Sequence, residues 1–175
     1  LDVNFQPVDV SAIARECIEE FRRHAPGREV EATIEPGLVA SADRYLVHSL
    51  LENLLGNAWK FTGRTPQARI ELVRTATRDG MVELAVRDNG VGFDPTQAER
   101  LFTPFQRLHR EADFPGTGIG LATAKRIVDR HGGNIRAESA PGSSLRPERA
   151  VSPLAARAPA RVRAPRGRAR ARRPL

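Results

Sequence analysis

The stretch Asp43–Thr62, DRYLVHSLLENLLGNAWKFT, decides how this chain is read, because it carries two patterns at once. Val47, Leu51, Leu54, Leu55 and Ala58 recur at helical spacing and Asp43 stands where it can cap the first turn, so one face of this helix is predicted to be core. Asn53, Asn57 and Lys60 follow at i, i+4 and i+7, which confines them to an arc of about 60° away from that face. Amide oxygens accept contacts from hard cations and an ammonium neutralises anionic charge, so this polar stripe suits a hydrated metal ion and phosphate oxygens. A solvated helix face would look the same, and the stripe gains meaning only with partners elsewhere in the chain.

Working outward, 175 residues suffice for one domain with a real core. The single cysteine, Cys17, falls in an apolar phase with Ile13, Ile18 and Phe21. It reads as a small core residue, excludes an internal disulfide and points to a reducing, cytoplasmic setting. No apolar run approaches the roughly 18 residues that span a bilayer, and no signal-peptide pattern opens the chain. The formal charge of +7 is unevenly placed. Residues 142–175 hold ten arginines against the one acid Glu148, a net +9 that leaves about −2 for the rest. The basic character therefore belongs to the tail, and no nucleic-acid partner is expected for the folded part.

In chain order, Val8–His24 carries a helical apolar stripe with Asp9 or Ser11 as cap. Glu29–Ile34 and Leu38–Ala40, punctuated by Pro36 and Gly37, read as a short hairpin. After the Asp43 helix, Ala68–Thr75 and Met81–Asp88 alternate as two antiparallel strands joined across Arg78, Asp79 and Gly80. Pro95–Leu101 is a short helix, followed by a stretch to Pro115 read as a mobile loop. A helix, LATAKRIVDR, then stops at His131-Gly132-Gly133, and Asn134–Ser139 is one more strand.

Two glycine clusters bear on the stripe. In VRDNGVGFD a strand ends at Asp88 and turns through Gly90 and Gly92, holding a carboxylate beside a backbone without side-chain bulk. Such a carboxylate can accept from an exocyclic amine like that of adenine, a charged hydrogen bond worth roughly 1.5–3 kcal/mol, although an ordinary DNG turn has the same letters. GTGIGL, at 116–121, precedes a helix directly, where free N–H groups and the helix dipole favour phosphate. A dinucleotide fingerprint fails here, because its third glycine would be Leu121 and RLHREADFP is no buried strand, despite Glu138 downstream. No Walker-type lysine motif occurs.

Together NLLGNAWKFT (53–62), DNGVGF (88–93), LFTPFQR (101–107) and GTGIGL (116–121) resemble, in order and interval, the N, G1, F and G2 boxes of sensor histidine kinases. The resemblance covers about Val8–Gly142, and the NAWKFT wording is most similar to phytochrome-like or PAS-containing sensor kinases. It implies a Bergerat-type α/β sandwich, a mixed sheet with helices on one face. It also implies ATP and Mg²⁺ as cofactors. Asn57 would be the Mg²⁺ ligand supported by Asn53, and Lys60 would meet phosphate. Asp88 would bind the adenine amine, with Gly90 and Gly92 shaping the base pocket. Arg107 would approach the γ-phosphate, Gly116, Thr117, Gly118 and Gly120 would line the triphosphate, and Phe102–Pro115 would be the ATP lid.

Where gyrase-type relatives carry a water-activating glutamate one helical turn before the metal asparagine, this chain has Asn53; Glu52 is turned about 100° away. Phosphoryl transfer to a histidine of a dimerisation domain outside this chain is therefore favoured, with a response regulator downstream. The full-length protein is expected to be a homodimer and this fragment a monomer. His24, His48, His109 and His131 lack the following acid of kinase acceptor histidines and read as structural or surface residues. A nucleotide-binding module without transfer, and nucleic-acid binding through the basic tail, are the other classes open to the sequence.

The chain divides at residue 142. Residues 143–175 turn to an Arg, Ala and Pro vocabulary where a closing family strand is due, so disorder and a sheet lacking its last strand are expected. Out-of-frame reading of a GC-rich gene would produce this change, and so would a basic arm for an acidic partner.

Overall fold

A computed structural model describes residues 3–78, 81–106, 114, 116–139, 149–152 and 156–157. The chain opens with a strand that periodicity did not disclose, β1 (Gln6–Asp9), which leads into α1 (Val10–His24). Asp9 caps this helix by accepting from the Ala12 N–H at 2.9 Å. β2 (Glu31–Ile34), β3 (Val39–Ala42) and α2 (Arg44–Phe61) follow, and Asp43 caps α2 through the Tyr45 and Leu46 N–H groups as its position predicts. Then come β4 (Arg69–Arg78), β5 (Met81–Asp88), a 3₁₀ turn over Pro95–Phe102, α3 (Gly120–Arg130), β6 (Arg136–Ser139), β7 (Arg149–Ser152) and β8 (Ala156–Arg157).

The strands form one mixed sheet in the order β1-β3-β8-β5-β4-β2, with β7 bridging β5 and β6. β4 and β5 are the predicted antiparallel pair, running from Ile70 opposite Asp88 to Arg78 opposite Met81 with a bulge between Arg74 and Ala76. Residues 79–80, which would join them, lie outside the described residues. The expected hairpin of Glu29–Ile34 with Leu38–Ala40 does not form. β2 pairs in parallel with β4, whereas β3 pairs antiparallel with β1. The start of α1 separates them: the Ser11 hydroxyl donates to Glu35 O at 2.6 Å and accepts from Leu38 N–H at 2.9 Å. A turn whose inner backbone groups are taken by a helix side chain cannot use them to zip two strands together.

A second correction concerns the tail. The sheet does not lack a strand after residue 142. β7 pairs with β5 from Val86 opposite Val151 to Asp88 opposite Arg149, and with β6 from Arg136 opposite Ser152 to Ser139 opposite Arg149. β8 pairs with β3 and with the start of β5. The groove between β5 and β6 presents backbone donors and acceptors on both sides, and a short segment of nearly any non-proline composition can satisfy them. Residues 143–148, 153–155 and 158–175, on which the expected disorder also falls, lie outside the described residues.

Helices α1, α2 and α3 pack with α2 in the middle, and the core lies between them and the sheet. Val47, Leu51, Leu54, Leu55 and Ala58, the apolar stripe of α2, are all buried, together with Leu50 and Phe61. All but Phe61 meet Ile13 and Ala14 of α1, Val128 of α3 and Ile70, Leu72 and Leu84 of the sheet in a single cluster. Cys17 is buried in this cluster as expected; burial and the nearby Glu52, Glu20 and Glu16 push its thiol up to about 11, so it stays protonated. Among the described residues no helix is long and apolar enough to cross a membrane.

Candidate nucleotide site

The face of α2 that turns away from the core carries Asn53, Asn57 and Lys60, all half-buried. Asn53 donates from Nδ2 to Ser49 O at 2.7 Å, one turn back, which aims Oδ1 outward. What it meets is the start of α3: a Cβ added at Gly120 would lie 2.7 Å from Asn53 Oδ1. Real Cβ atoms do not come that close, so a larger residue at 120 would have to displace the Asn53 carboxamide, which is held by its bond to Ser49 O. Lys60, two turns further on, lies against the same glycine-rich cluster, and a Cβ at Gly116 would be 3.2 Å from its Nζ. Its ammonium also sits 4.4 Å from the centroid of the Phe61 ring. Asn57, between them, has no side-chain hydrogen bond among the described residues, so its carboxamide is available to a ligand.

Asp88 ends β5 and is only 7% exposed. Its Oδ1 accepts from the Gly90 N–H at 2.9 Å, which fixes the carboxylate against the turn. Gly90 is held on its other side by the end of α2, where a Cβ would stand 2.6 Å from Phe61 O and 2.8 Å from Asp88 Oδ1. The Val91 N–H donates to that same Phe61 carbonyl at 3.3 Å. Gly92 takes φ 66°, the left-handed conformation that favours glycine, and Gly118 takes φ 72°. The Gly118 carbonyl accepts from the Phe105 N–H at 3.1 Å, which ties the second glycine cluster to the LFTPFQR stretch.

All four quoted boxes are thus joined through α2, and the described site residues Asn53, Lys60, Asp88, Gly90, Gly116 and Gly120 each make the contacts just given. Thr117 is exposed beside Gly116. Arg107 lies outside the described residues, as does most of the expected lid, 107–113 and Pro115. Phe114 is described: it is buried with its ring 5.1 Å from that of Phe61, and the Arg64 guanidinium stands 5.4 Å from its centroid.

Several residues of this region escaped the sequence reading. Asn89, passed over inside the DNG turn, accepts the Arg69 N–H at 2.7 Å and donates to Gln67 O at 3.0 Å, anchoring the turn to the start of β4. Its amide between Asp88 and Gly90 was the available signal, since asparagine there can bond in both directions. Phe61 contributes its carbonyl, which no side-chain pattern announces. Ser139, at the end of β6, accepts the Phe93 N–H at 3.1 Å. Asp94 caps the 3₁₀ turn; hydrogen bonds from the Thr96 hydroxyl and N–H hold its carboxyl below the usual range.

Comparison with known proteins agrees with this geometry. Residues 42–149 match the family described as histidine kinase-, DNA gyrase B-, and HSP90-like ATPase. Phytochrome-like protein Cph1 of Synechocystis sp. is 40% identical over 137 residues, which cover 77% of this chain and 18% of that protein. Sensor histidine kinase ZraS of Klebsiella oxytoca is 34% identical over 143 residues, 80% of this chain and 30% of that one. The chain therefore spans less than a third of either curated relative. Among solved structures, a mycobacterial sensor histidine kinase, MprB, superposes with a TM-score of 0.70 at 27% identity, covering 87% of this chain and 99% of that one. Full-length ShkA in complex with AMPPNP gives 0.68 at 27% identity, covering 90% of this chain and 33% of that one. The chain belongs to the histidine kinase-, DNA gyrase B- and HSP90-like ATPase family, and within it is similar to the catalytic domains of sensor histidine kinases.

Proposed function

We propose that this chain binds ATP with Mg²⁺ and donates the γ-phosphoryl group to a histidine on a dimerisation domain of the same full-length protein, from which a response regulator receives it. The observation that carries this reading is the convergence on one helix face of Asn53 against Gly120 and Lys60 against Gly116, with Asp88 fixed by Gly90 at the end of the same helix.

The residues fit the ligand. Asp88 is buried, acceptor-only when ionised, and held with one oxygen on a backbone N–H, which suits it to accept the adenine amine. Gly90 and Gly92 leave the floor of the base pocket free of side chains. At the other end Lys60 supplies positive charge, and Gly116, Thr117, Gly118 and Gly120 present backbone at the start of α3, where a helix dipole favours phosphate. Asn57 would hold Mg²⁺ through its carboxamide oxygen, with Asn53 beside it, and Arg107 would meet the γ-phosphate. Bound Mg²⁺ would neutralise phosphate charge and leave the γ-phosphorus open to in-line attack.

Hydrolysis is disfavoured by the same stripe. Asn53 is no base, and Glu52 is exposed on another face of α2. The family fold is a scaffold for positioning, so an acceptor imidazole brought to the site supplies the nucleophile. The residues assigned to nucleotide all precede position 143, and the arginine-rich segment beyond is assigned no part in phosphoryl transfer.

The test is incubation with γ-labelled ATP, Mg²⁺ and a separately supplied dimerisation domain from a similar kinase. Label on the acceptor histidine supports transfer. ATP binding without label would make the chain a non-enzymatic nucleotide module. Salt-sensitive DNA binding lost on deleting residues 158–175, with no ATP binding, would replace the reading with a nucleic-acid role.

A further inference from the structure

His131 follows α3 directly and is 6% exposed, with both ring nitrogens engaged. Nδ1 stands 2.8 Å from Ile127 O, one turn back on its own helix. Nε2 stands 3.1 Å from the backbone N of Asp43, the capping residue of α2. A carbonyl can only accept and a backbone N–H can only donate, so one neutral tautomer satisfies both partners: the proton on Nδ1 and a bare Nε2. The edge of the ring packs on Phe5 at 5.6 Å between centroids. The Asp43 carboxylate, held below its usual range chiefly by the Leu46 N–H, also faces this ring.

This bond ties the end of α3 to the beginning of α2. The two helices run antiparallel and share the apolar core along their seam, and at the far end of that seam Gly120 lies against Asn53, inside the nucleotide site. At 1.5 Å per residue, Asp43 to Asn53 is about 15 Å of helix and His131 back to Gly120 about 16.5 Å. The two contacts therefore sit at matched heights on the two helices, so a register held at one is carried to the other. A slip of α3 by one residue would shift it about 1.5 Å and turn it about 100°, bringing the side chain of Leu121 toward Asn53 in place of glycine.

We propose that His131 is a positioning residue for the nucleotide site, setting the register of α3 on α2 through its Nδ1–H tautomer. The proposal rests on the nucleotide reading above and concerns a residue with no expected ligand contact. It predicts a specific chemical requirement: an acceptor at the place of Nε2. His131→Gln keeps an acceptor at that reach, whereas His131→Leu keeps the burial and removes it.

The His131 imidazole nitrogen shifts in a long-range ¹H–¹⁵N spectrum are measured for the parent protein, and the Gly120 amide shift and ATP·Mg²⁺ affinity for the parent and both variants. Val128→Ala, a core substitution on α3, controls for general destabilisation. Expected are the Nδ1–H tautomer in the parent, a displaced Gly120 amide and about five- to tenfold weaker ATP binding in His131→Leu, and a parental Gly120 shift with affinity restored to within about twofold in His131→Gln. Val128→Ala should lower the melting temperature with ATP affinity little changed. An Nε2–H tautomer, equal behaviour of Leu and Gln, or an equal affinity loss in Val128→Ala overturns the proposal. Failure of the parent protein to bind ATP at all would overturn the nucleotide reading instead, and the imidazole spectrum and Gly120 shift would then decide the register claim alone.

Discussion

At the base end of the site, Gly90 is pressed between the Phe61 carbonyl and the Asp88 carboxylate, with 2.6 Å and 2.8 Å left for any added carbon. At the phosphate end, among the described residues, a carbon added at Gly116 meets the tip of the Lys60 side chain, at 3.2 Å, and Gly116 is itself exposed. Backbone confines the first and a flexible ammonium the second. The proposed base pocket is preorganised by a strand end locked to a helix end, whereas the proposed phosphate cluster is bounded by the tip of a side chain. An added methyl meets backbone and a fixed carboxylate at one end, and at the other a lysine tip and a φ of 150° that L side chains rarely adopt.

The largest expected effect tests the division of labour between the ends. Asn57→Ala should reduce transfer to a supplied acceptor domain by more than about 100-fold while base recognition survives, because only the metal and phosphate arrangement is removed. Transfer at the parental rate would take Asn57 out of the metal site. Next comes Gly90→Ala, which should weaken binding of a fluorescent ATP analogue by about 100-fold and lower the melting temperature, since backbone must shift to admit the methyl. An unchanged affinity would show that the base end is not confined.

Asp88→Asn sharpens the comparison by removing charge with almost no change in shape. It should cost about 10- to 100-fold in ATP affinity at a parental melting temperature, the size of one charged hydrogen bond. Equal affinities would remove Asp88 from the site. The smallest effect belongs to Gly116→Ala, where among the described residues the atom met is the tip of a side chain, Lys60, and the backbone at φ 150° resists; about two- to fivefold weaker binding is expected. A loss as large as that of Gly90→Ala would erase the contrast between the ends.

What could be read before the structure follows the same physics. The α2 stripe was legible because a 3.6-residue period ties side-chain type to direction, and every apolar position named on it is buried. Asp88 and the two glycine clusters were legible because motif spacing preserved them. The parallel pairing of β2 with β4 was not, since it depends on a partner almost forty residues away and on the Ser11 hydroxyl taking the turn's backbone groups. β7 escaped for another reason: its pairing uses backbone groups that every residue except proline carries in full, and composition says little about them. Likewise, nothing in the letters HGG disclosed that the His131 ring reaches Asp43.

The pairing of β5 with β7 has a consequence in time. Asp88 stands opposite Ile70, already synthesised when it emerges, and opposite Arg149, which is not. At about 5–20 residues per second, a ribosome would deliver that second neighbour about 3–12 s later. During that interval the nascent chain holds the Asp88 carboxylate on a strand with one open edge, exposed to chaperones and to pairing with other chains. Completion of the strand that carries Asp88 is thus coupled to translation of a segment some sixty residues later, and a pause before Arg149 would prolong the vulnerable state.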